Sequence, residues 1–313
     1  MKTSAQAIKA RSAAQLAAVA GTRTALARIG LADYWELTKP EVTFLVVTTA
    51  LAGFYLGARG ALDWFRLLHT LVGTALVAAG TATLNQLFER DVDARMRRTA
   101  QRPLPAGRLK PSQALAFGVA LAVVGGLELA VAVNLLSSFL ALFTLASYLL
   151  LYTPLKKKTN LCTVVGAFPG AMPVLIGWVA SGRELEPAAW ILYAILFLWQ
   201  FPHFLAIAWL YREDYARGGI VMLPPRDTYG KFTARQIVFF SLALLPATMA
   251  PALLGLAGRV YLLGALVLGF GFLYFAVRLA RSRTLLEAKW LLHASVIYLP
   301  LLYGLMMLDK IRL

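Results

Sequence analysis

Read for polarity alone, the chain is a succession of long apolar runs separated by short charged stretches. Runs near residues 41–58, 67–88, 112–133, 136–153, 161–181, 188–210, 234–256, 260–280 and 288–308 are each long enough to cross a hydrocarbon core of roughly 30 Å. This pattern predicts an all-α, polytopic membrane protein with nine transmembrane helices. The first 36 residues are Ala-rich and basic and contain no uninterrupted apolar core of the signal-peptide kind. They are expected to form a mobile or surface-lying arm, with residues 37–313 as a single intramembrane domain and no soluble domain.

Composition agrees with the pattern. Of 313 residues, 59% are hydrophobic and 15% charged, against about a quarter charged in soluble domains, and the mean hydropathy is +0.68. A net charge of +16 would suit a nucleic-acid partner, but its distribution argues otherwise. Of the 31 Lys and Arg residues, 25 fall on the N-terminal arm and on the loops after the even-numbered spans. By the positive-inside rule, those segments are cytoplasmic and the C-terminus lies outside, in a cell inner membrane. The charge then requires no nucleic acid. The single cysteine, Cys162, excludes an intramolecular disulfide, and no C-x-x-C or His/Cys cluster suggests a structural metal.

The loops differ sharply in chemistry. Residues 85–105, NQLFERDVDARMRRTAQRPLP, begin in the last turn of the second span and run on past it. Asn85, Glu89 and Asp93 are spaced i, i+4, i+8, so they form one stripe if that helix runs on for two more turns. Asp91 would face elsewhere. Two carboxylates and an amide oxygen at a water-accessible helix end suit Mg²⁺, which commonly binds one or two carboxylates and completes its shell with phosphate and water. Arg95, Arg97, Arg98 and Arg102 suit phosphate oxygens, although topology alone also accounts for juxtamembrane arginines.

A second stretch, 197–225, places His203 inside the sixth span and ends in Glu213 and Asp214 before Gly218-Gly219 and Pro224-Pro225 interrupt the helix. If the helix is continuous, His203 and Asp214 share a face. Two acidic helix ends on one side of the membrane could hold two Mg²⁺ ions around one diphosphate and stabilise it as a leaving group. A third stretch, YTPLKKK at 152–158, sets Tyr152 and Lys156 in a Y-x-x-x-K pattern. It reads either as a topogenic lysine cluster or as a phosphate contact. Likewise, His203 is either a satisfied packing residue or a functional group in an apolar span. His293 has Ser295 and Tyr298 near enough in sequence to satisfy it, and Glu128 in the third span has no evident role.

The motif at 85–105 resembles the first acidic motif, N-x-x-x-D-x-x-x-D, of the UbiA-type intramembrane prenyltransferases. The stretches LTKPEVTFL (37–45), YTPLKKKTNLCTVVGAFPGAMPVLIGW (152–178) and FPHFLAIAWLYREDYARGGIVMLP (201–224) resemble the haem-farnesylating branch of that family more narrowly. The resemblance runs from about Leu37 to the ninth span. It implies nine helices around a central cavity with cytoplasmic loop caps. The implied reaction is Mg²⁺-assisted loss of diphosphate from farnesyl diphosphate, capture of the allylic cation by a vinyl group of haem B, and addition of water to give haem O. Position by position, Asn85, Glu89 and Asp93 match the first metal motif and Asp214 an acid of the second. Tyr152 and Lys156 match the Y-x-x-x-K element, Arg98 and Arg102 the R-T-x-x-R-P element, and Lys39 of T-K-P is a further phosphate candidate. His203 would meet the haem, through its iron or a propionate. The lipid bilayer is the medium, and a haem A synthase is the candidate downstream partner.

Two features depart from the family pattern. Glu89 stands where the general pattern has Asp, and Gly218 stands four residues after Asp214, where a second acid would be expected. The second metal site is therefore the weaker expectation. A quinone-precursor aromatic or chlorin acceptor would need the same diphosphate machinery. A transporter would instead place charges and broken helices near the midplane, whereas here the acids cluster at helix ends.

Overall fold

A computed structural model describes residues 30–224, 227 and 229–311. The first 29 residues, to which most of the expected arm belongs, lie outside the described part. Among the described residues, nine helices are long and apolar enough to cross a bilayer, as the apolar pattern predicts. A short helix α1 (Leu31–Leu37) precedes α2 (Pro40–Gly57), α3 (Trp64–Asp93), α4 (Pro111–Ala132) and α5 (Leu135–Ser147). A π-helical turn, Tyr148–Tyr152, and one α-turn, Thr153–Leu155, complete the fourth span. Then come α6 (Cys162–Ala180), α7 (Pro187–Leu210), the short α8 (Arg212–Gly218), α9 (Lys231–Leu253), α10 (Arg259–Ser282) and α11 (Leu285–Leu308).

The spans do not share burial evenly. In α6, 72% of the most apolar window is inside the protein, against 28% in α9 and α10. The peripheral helices turn large apolar side chains such as Val131, Phe139, Val267 and Phe270 outward, as expected where the surroundings are lipid rather than water. Between lipid-bathed helices, packing and hydrogen bonding hold the assembly together more than hydrophobic transfer does. Small residues allow the closest approach. A Cβ on Gly53 of α2 would lie 2.1 Å from the Val174 carbonyl oxygen of α6, and one on Gly177 1.9 Å from that of Ala50. Pro169 and Pro173 interrupt the ladder of α6. Neighbouring α7 supplies donors there: Gln200 Nε2 donates to the Ala167 carbonyl at 3.0 Å and the Tyr193 hydroxyl to that of Phe168 at 3.2 Å.

The basic ends of α3, α5, α7 and α10 lie together and carry the caps. The 94–110 loop buries Met96, Thr99, Leu104 and Leu109. Helix α1 is tied beneath it by Arg108, which donates to Asp33 at 2.6 Å and to Glu36 at 2.8 Å. At the opposite ends the chain sews itself up. Asp309 accepts from the Tyr261 N–H at 2.7 Å, and Lys310 Nζ donates to the Tyr55 and Ala58 carbonyls, each at 2.6 Å.

Candidate active site

Helix α3 is 30 residues long, about 45 Å at 1.5 Å per residue. It therefore projects well past the hydrocarbon core, two turns beyond the apolar run. That extension keeps Asn85, Glu89 and Asp93 on a regular helix and on one stripe, and all three are buried. Asp91 is exposed, with Arg90 at 3.6 Å, off the stripe as the spacing requires.

Each polar group of the stripe meets a partner from a different segment. Lys156 Nζ donates to Glu89 Oε1 at 2.8 Å. Arg102 Nη1 donates to Asp93 Oδ2 at 2.8 Å. Lys39 Nζ donates to Asn85 Oδ1 at 3.2 Å, while Asn85 Nδ2 donates to Thr153 Oγ1 at 3.2 Å. Three cations thus surround two carboxylates and one amide. Thr99 fixes the turn between Asp93 and Arg102 by donating its hydroxyl to the Asp93 carbonyl at 2.9 Å.

Backbone geometry aims the two lysines. Lys39 is left-handed (φ 46°, ψ 65°), a conformation that is costly for a side chain with a Cβ. The following Pro40 disfavours helical geometry at position 39, so the chain breaks there and starts α2 afresh. Gln86 anchors the α1 end, donating to the Leu37 carbonyl at 2.9 Å. Lys156 is set by the π-helical turn. Pro154 has no N–H and its ring crowds the preceding turn, and widening that turn accommodates it. The Thr153 hydroxyl takes up the Tyr148 carbonyl at 2.9 Å. As a result both aromatic rings face one ammonium, with Lys156 Nζ 4.4 Å from the Tyr152 centroid and 5.7 Å from that of Tyr148.

The protonation of the cations follows from these surroundings. Burial works against a charged Lys156, but Tyr152, Tyr148 and the Glu89 carboxylate around it hold its pKa well above the usual lysine value. Lys39 is pushed down to about 8 by burial and by the neighbouring Arg102 and Lys156 charges, against the pull of Glu89 and Asp93.

Not all of the sequence-derived candidates join this group. Helix α7 ends at Leu210, and Tyr211 (φ −107°, ψ 23°) separates it from α8. The continuous helix that would put His203 and Asp214 on one face therefore does not form. Asp214 turns to the 94–100 loop, accepting from the Arg97 N–H at 3.1 Å and from the Arg217 guanidinium. Hydrogen bonding from Arg217 holds its carboxyl below the usual range. Arg98 is exposed and lies 4.9 Å over the Tyr211 ring. His203 stacks on Trp199, and its Nδ1 is 2.7 Å from Ser295 Oγ. Ser295 thus serves His203 and not His293, which is exposed beside Trp290. Glu128 is 2.5 Å from His69 Nδ1 across α3 and α4.

Tyr148, Thr153 and Tyr215 belong to the neighbourhood of the site but were not singled out by sequence reasoning. Tyr148 could have been found, since it stands one helical turn before Tyr152. Tyr215 had no such signal. It packs against the buried cluster of Tyr152, Cys162, Ala208 and Met222, and burial raises its hydroxyl pKa.

Among the described residues, no group of three His, Cys, Asp or Glu side chains could hold a metal ion. Two carboxylates and an amide oxygen nonetheless fit a hard cation that takes its other ligands from phosphate and water. The three cations beside them fit the phosphate itself.

Residues 46–297 match the UbiA prenyltransferase family. A protohaem IX farnesyltransferase of Solibacter usitatus is 55% identical over 287 residues, covering 89% of this chain and 98% of the relative. One from Koribacter versatilis is 47% identical over 291 residues, covering 90% and 94%. Among solved structures, a digeranylgeranylglyceryl phosphate synthase superposes with TM-score 0.75 at 20% identity, over 90% of this chain and 99% of that one. A UbiA homologue from Archaeoglobus fulgidus bound to GPP and Mg²⁺ superposes with TM-score 0.62 at 18% identity, over 88% and 99%. At such identities the structures establish a common fold, and the sequence matches settle the lineage: the chain belongs to the UbiA prenyltransferase family.

Proposed function

We propose that the protein transfers the farnesyl group of farnesyl diphosphate to a vinyl group of haem B, giving haem O and diphosphate. The observation that carries the diphosphate half is the ring of Lys39, Arg102 and Lys156 around the buried Glu89–Asp93 stripe. The acceptor half rests on the relatives that bear the name protohaem IX farnesyltransferase at 38–55% identity.

Asn85, Glu89 and Asp93 would hold Mg²⁺, while Asp214, engaged by the Arg97 N–H and Arg217, would steady the cap beside them. Bound there, the ion would offset the charge that builds on the departing diphosphate. Lys39, Arg102 and Lys156 bind the phosphate oxygens and stabilise the same charge from the protein side. Cleavage of the C1–O bond leaves an allylic cation. The Tyr148, Tyr152 and Tyr215 rings and their apolar neighbours form a wall that excludes water and offers π-faces to positive charge. The 4.4 Å approach of Lys156 to Tyr152 illustrates that affinity. The vinyl π-electrons then form the new C–C bond, water adds to the resulting haem-side cation, and one proton is released. His203 is assigned to the acceptor. With Nδ1 engaged by Ser295, Nε2 is the nitrogen available to meet iron or a propionate. Exposed Arg98, over the Tyr211 ring, would meet the diphosphate from the cap.

The protein would sit in the inner membrane with the basic face cytoplasmic and the C-terminus outside, as the lysine and arginine distribution supports. A haem A-forming enzyme is the candidate recipient of product. Incubation of the purified protein with haem B, farnesyl diphosphate and Mg²⁺, followed by chromatography, should yield a more hydrophobic haem. Turnover of a quinone-precursor aromatic or a chlorin without any new haem would overturn the acceptor and leave the diphosphate chemistry intact.

A further inference from the structure

A second concentration of positive charge lies at the basic ends of α7, α9 and α10, apart from the residues around Glu89. A cavity of about 400 Å³ is lined by Trp209, Arg212, Tyr229, Lys231, Ser282 and Arg283. Its three cations come from three separate segments, and among the described residues no acid lines it. Exposed Glu213, beside Arg212 in sequence, is not among the lining residues, and two other acids of this region are committed elsewhere. Asp227 caps α9, accepting from the Phe232 and Thr233 N–H groups at 3.0 and 2.7 Å, and Glu287 is held by Arg278 at 2.5 Å.

The positive-inside rule accounts for cations at these helix ends, but not for their convergence on a built cavity. Arg283 is left-handed (φ 53°), an uncommon conformation for a residue with a Cβ. Its carbonyl is held by Trp209 Nε1 at 3.1 Å. The Arg212 guanidinium lies 4.9 Å over the same indole. Gly230 (φ 68°) closes against the ring's far edge, where a Cβ would come within 2.3 Å. The indole is thus fixed from several sides, and the strained turn at 283 points one cation at the concavity the other two share. Exposed Arg281, which does not line the cavity, exemplifies the ordinary topogenic arginine.

We propose that this pocket binds the phosphate of an anionic phospholipid headgroup. Its position at the end of three spans places it at headgroup depth. Trp209 and Tyr229 are of the type that anchors in that layer, and basic pockets between spans suit acidic headgroups. The lipid would brace the α7–α9–α10 ends independently of the diphosphate reaction.

The test is native mass spectrometry of protein extracted from nanodiscs of equal phosphatidylglycerol and phosphatidylcholine. The wild type should retain phosphatidylglycerol preferentially. Arg212→Gln, Lys231→Gln and Arg283→Gln should each weaken that retention by about fivefold, while Arg281→Gln should not. Lys231 is exposed, so Lys231→Gln remains informative if Arg212→Gln or Arg283→Gln fails to fold by size-exclusion chromatography. Adding inorganic phosphate separates the sources. Release of the lipid by phosphate alone would make free phosphate the ligand and overturn the headgroup assignment, and persistence of the lipid supports it. Equal retention of the two lipids, or unchanged retention in the variants, would overturn the pocket altogether.

Discussion

At the end of α3, the carboxylates stay on an unbroken helix, sink into the protein and meet cations delivered from the 39, 102 and 156 positions. At the end of α7, the helix stops at Leu210, restarts at Arg212, and presents Asp214 to the backbone of a neighbouring loop and to Arg217, three residues away on the same turn. Both ends read alike as apolar span, acids and arginines. They differ in where the cations come from. Long-range partners gather a site, because no local geometry could satisfy those charges. A local partner and a loop amide make a clasp. The clasp still matters to the site, since the residues Asp214 holds lead directly into the Thr99–Arg102 turn.

That contrast can be broken at graded points. Asp93→Asn should have the largest effect, lowering haem O formation about a thousandfold, with elution and haem retention close to wild type; an unchanged rate would remove Asp93 from the reaction. Arg102→Lys keeps the charge but loses the planar fork, so kcat should fall about tenfold. Asp214→Asn should cost about 1–3 kcal/mol of stability, with activity within about threefold of wild type. A loss as large as that of Asp93→Asn would make the second end a metal site in its own right.

The pH dependence sharpens the third case. Asp214 has a folded pKa below its ordinary value. Its contribution to stability is therefore complete above the ordinary carboxylate pKa of about 4 and is lost as the pH falls through the lower folded value. Melting temperatures measured between about pH 2 and 5 should slope less steeply in Asp214→Asn than in the wild type. The smallest effect belongs to Arg97→Gln. Only the backbone N–H of Arg97 reaches Asp214, so stability should stay within about 0.5 kcal/mol.

The nine spans were legible because lipid imposes length and apolarity residue by residue. The stripe of Asn85, Glu89 and Asp93 was legible because i, i+4, i+8 is a local spacing. What resisted was anything set by a break. The stop at Tyr211 carries no proline or glycine signal, so the register linking His203 to Asp214 failed. Tyr215 was passed over because its role depends on α8, a helix created by that stop. The pairing of Glu89 with Lys156 spans 67 residues, and only folding brings the two together.

Lys39 carries a consequence for anyone who would improve this protein. Its left-handed backbone places an amine beside Asn85, and a glycine there would relieve the strain at no steric cost. Lys39→Gly is therefore expected to resist heat better by about 1 kcal/mol while losing about tenfold in turnover. A stability screen would select it and an activity screen would discard it. That outcome would mark Lys39 as a place where durability has been traded for work, and running both screens on one library would locate the other positions under the same tension.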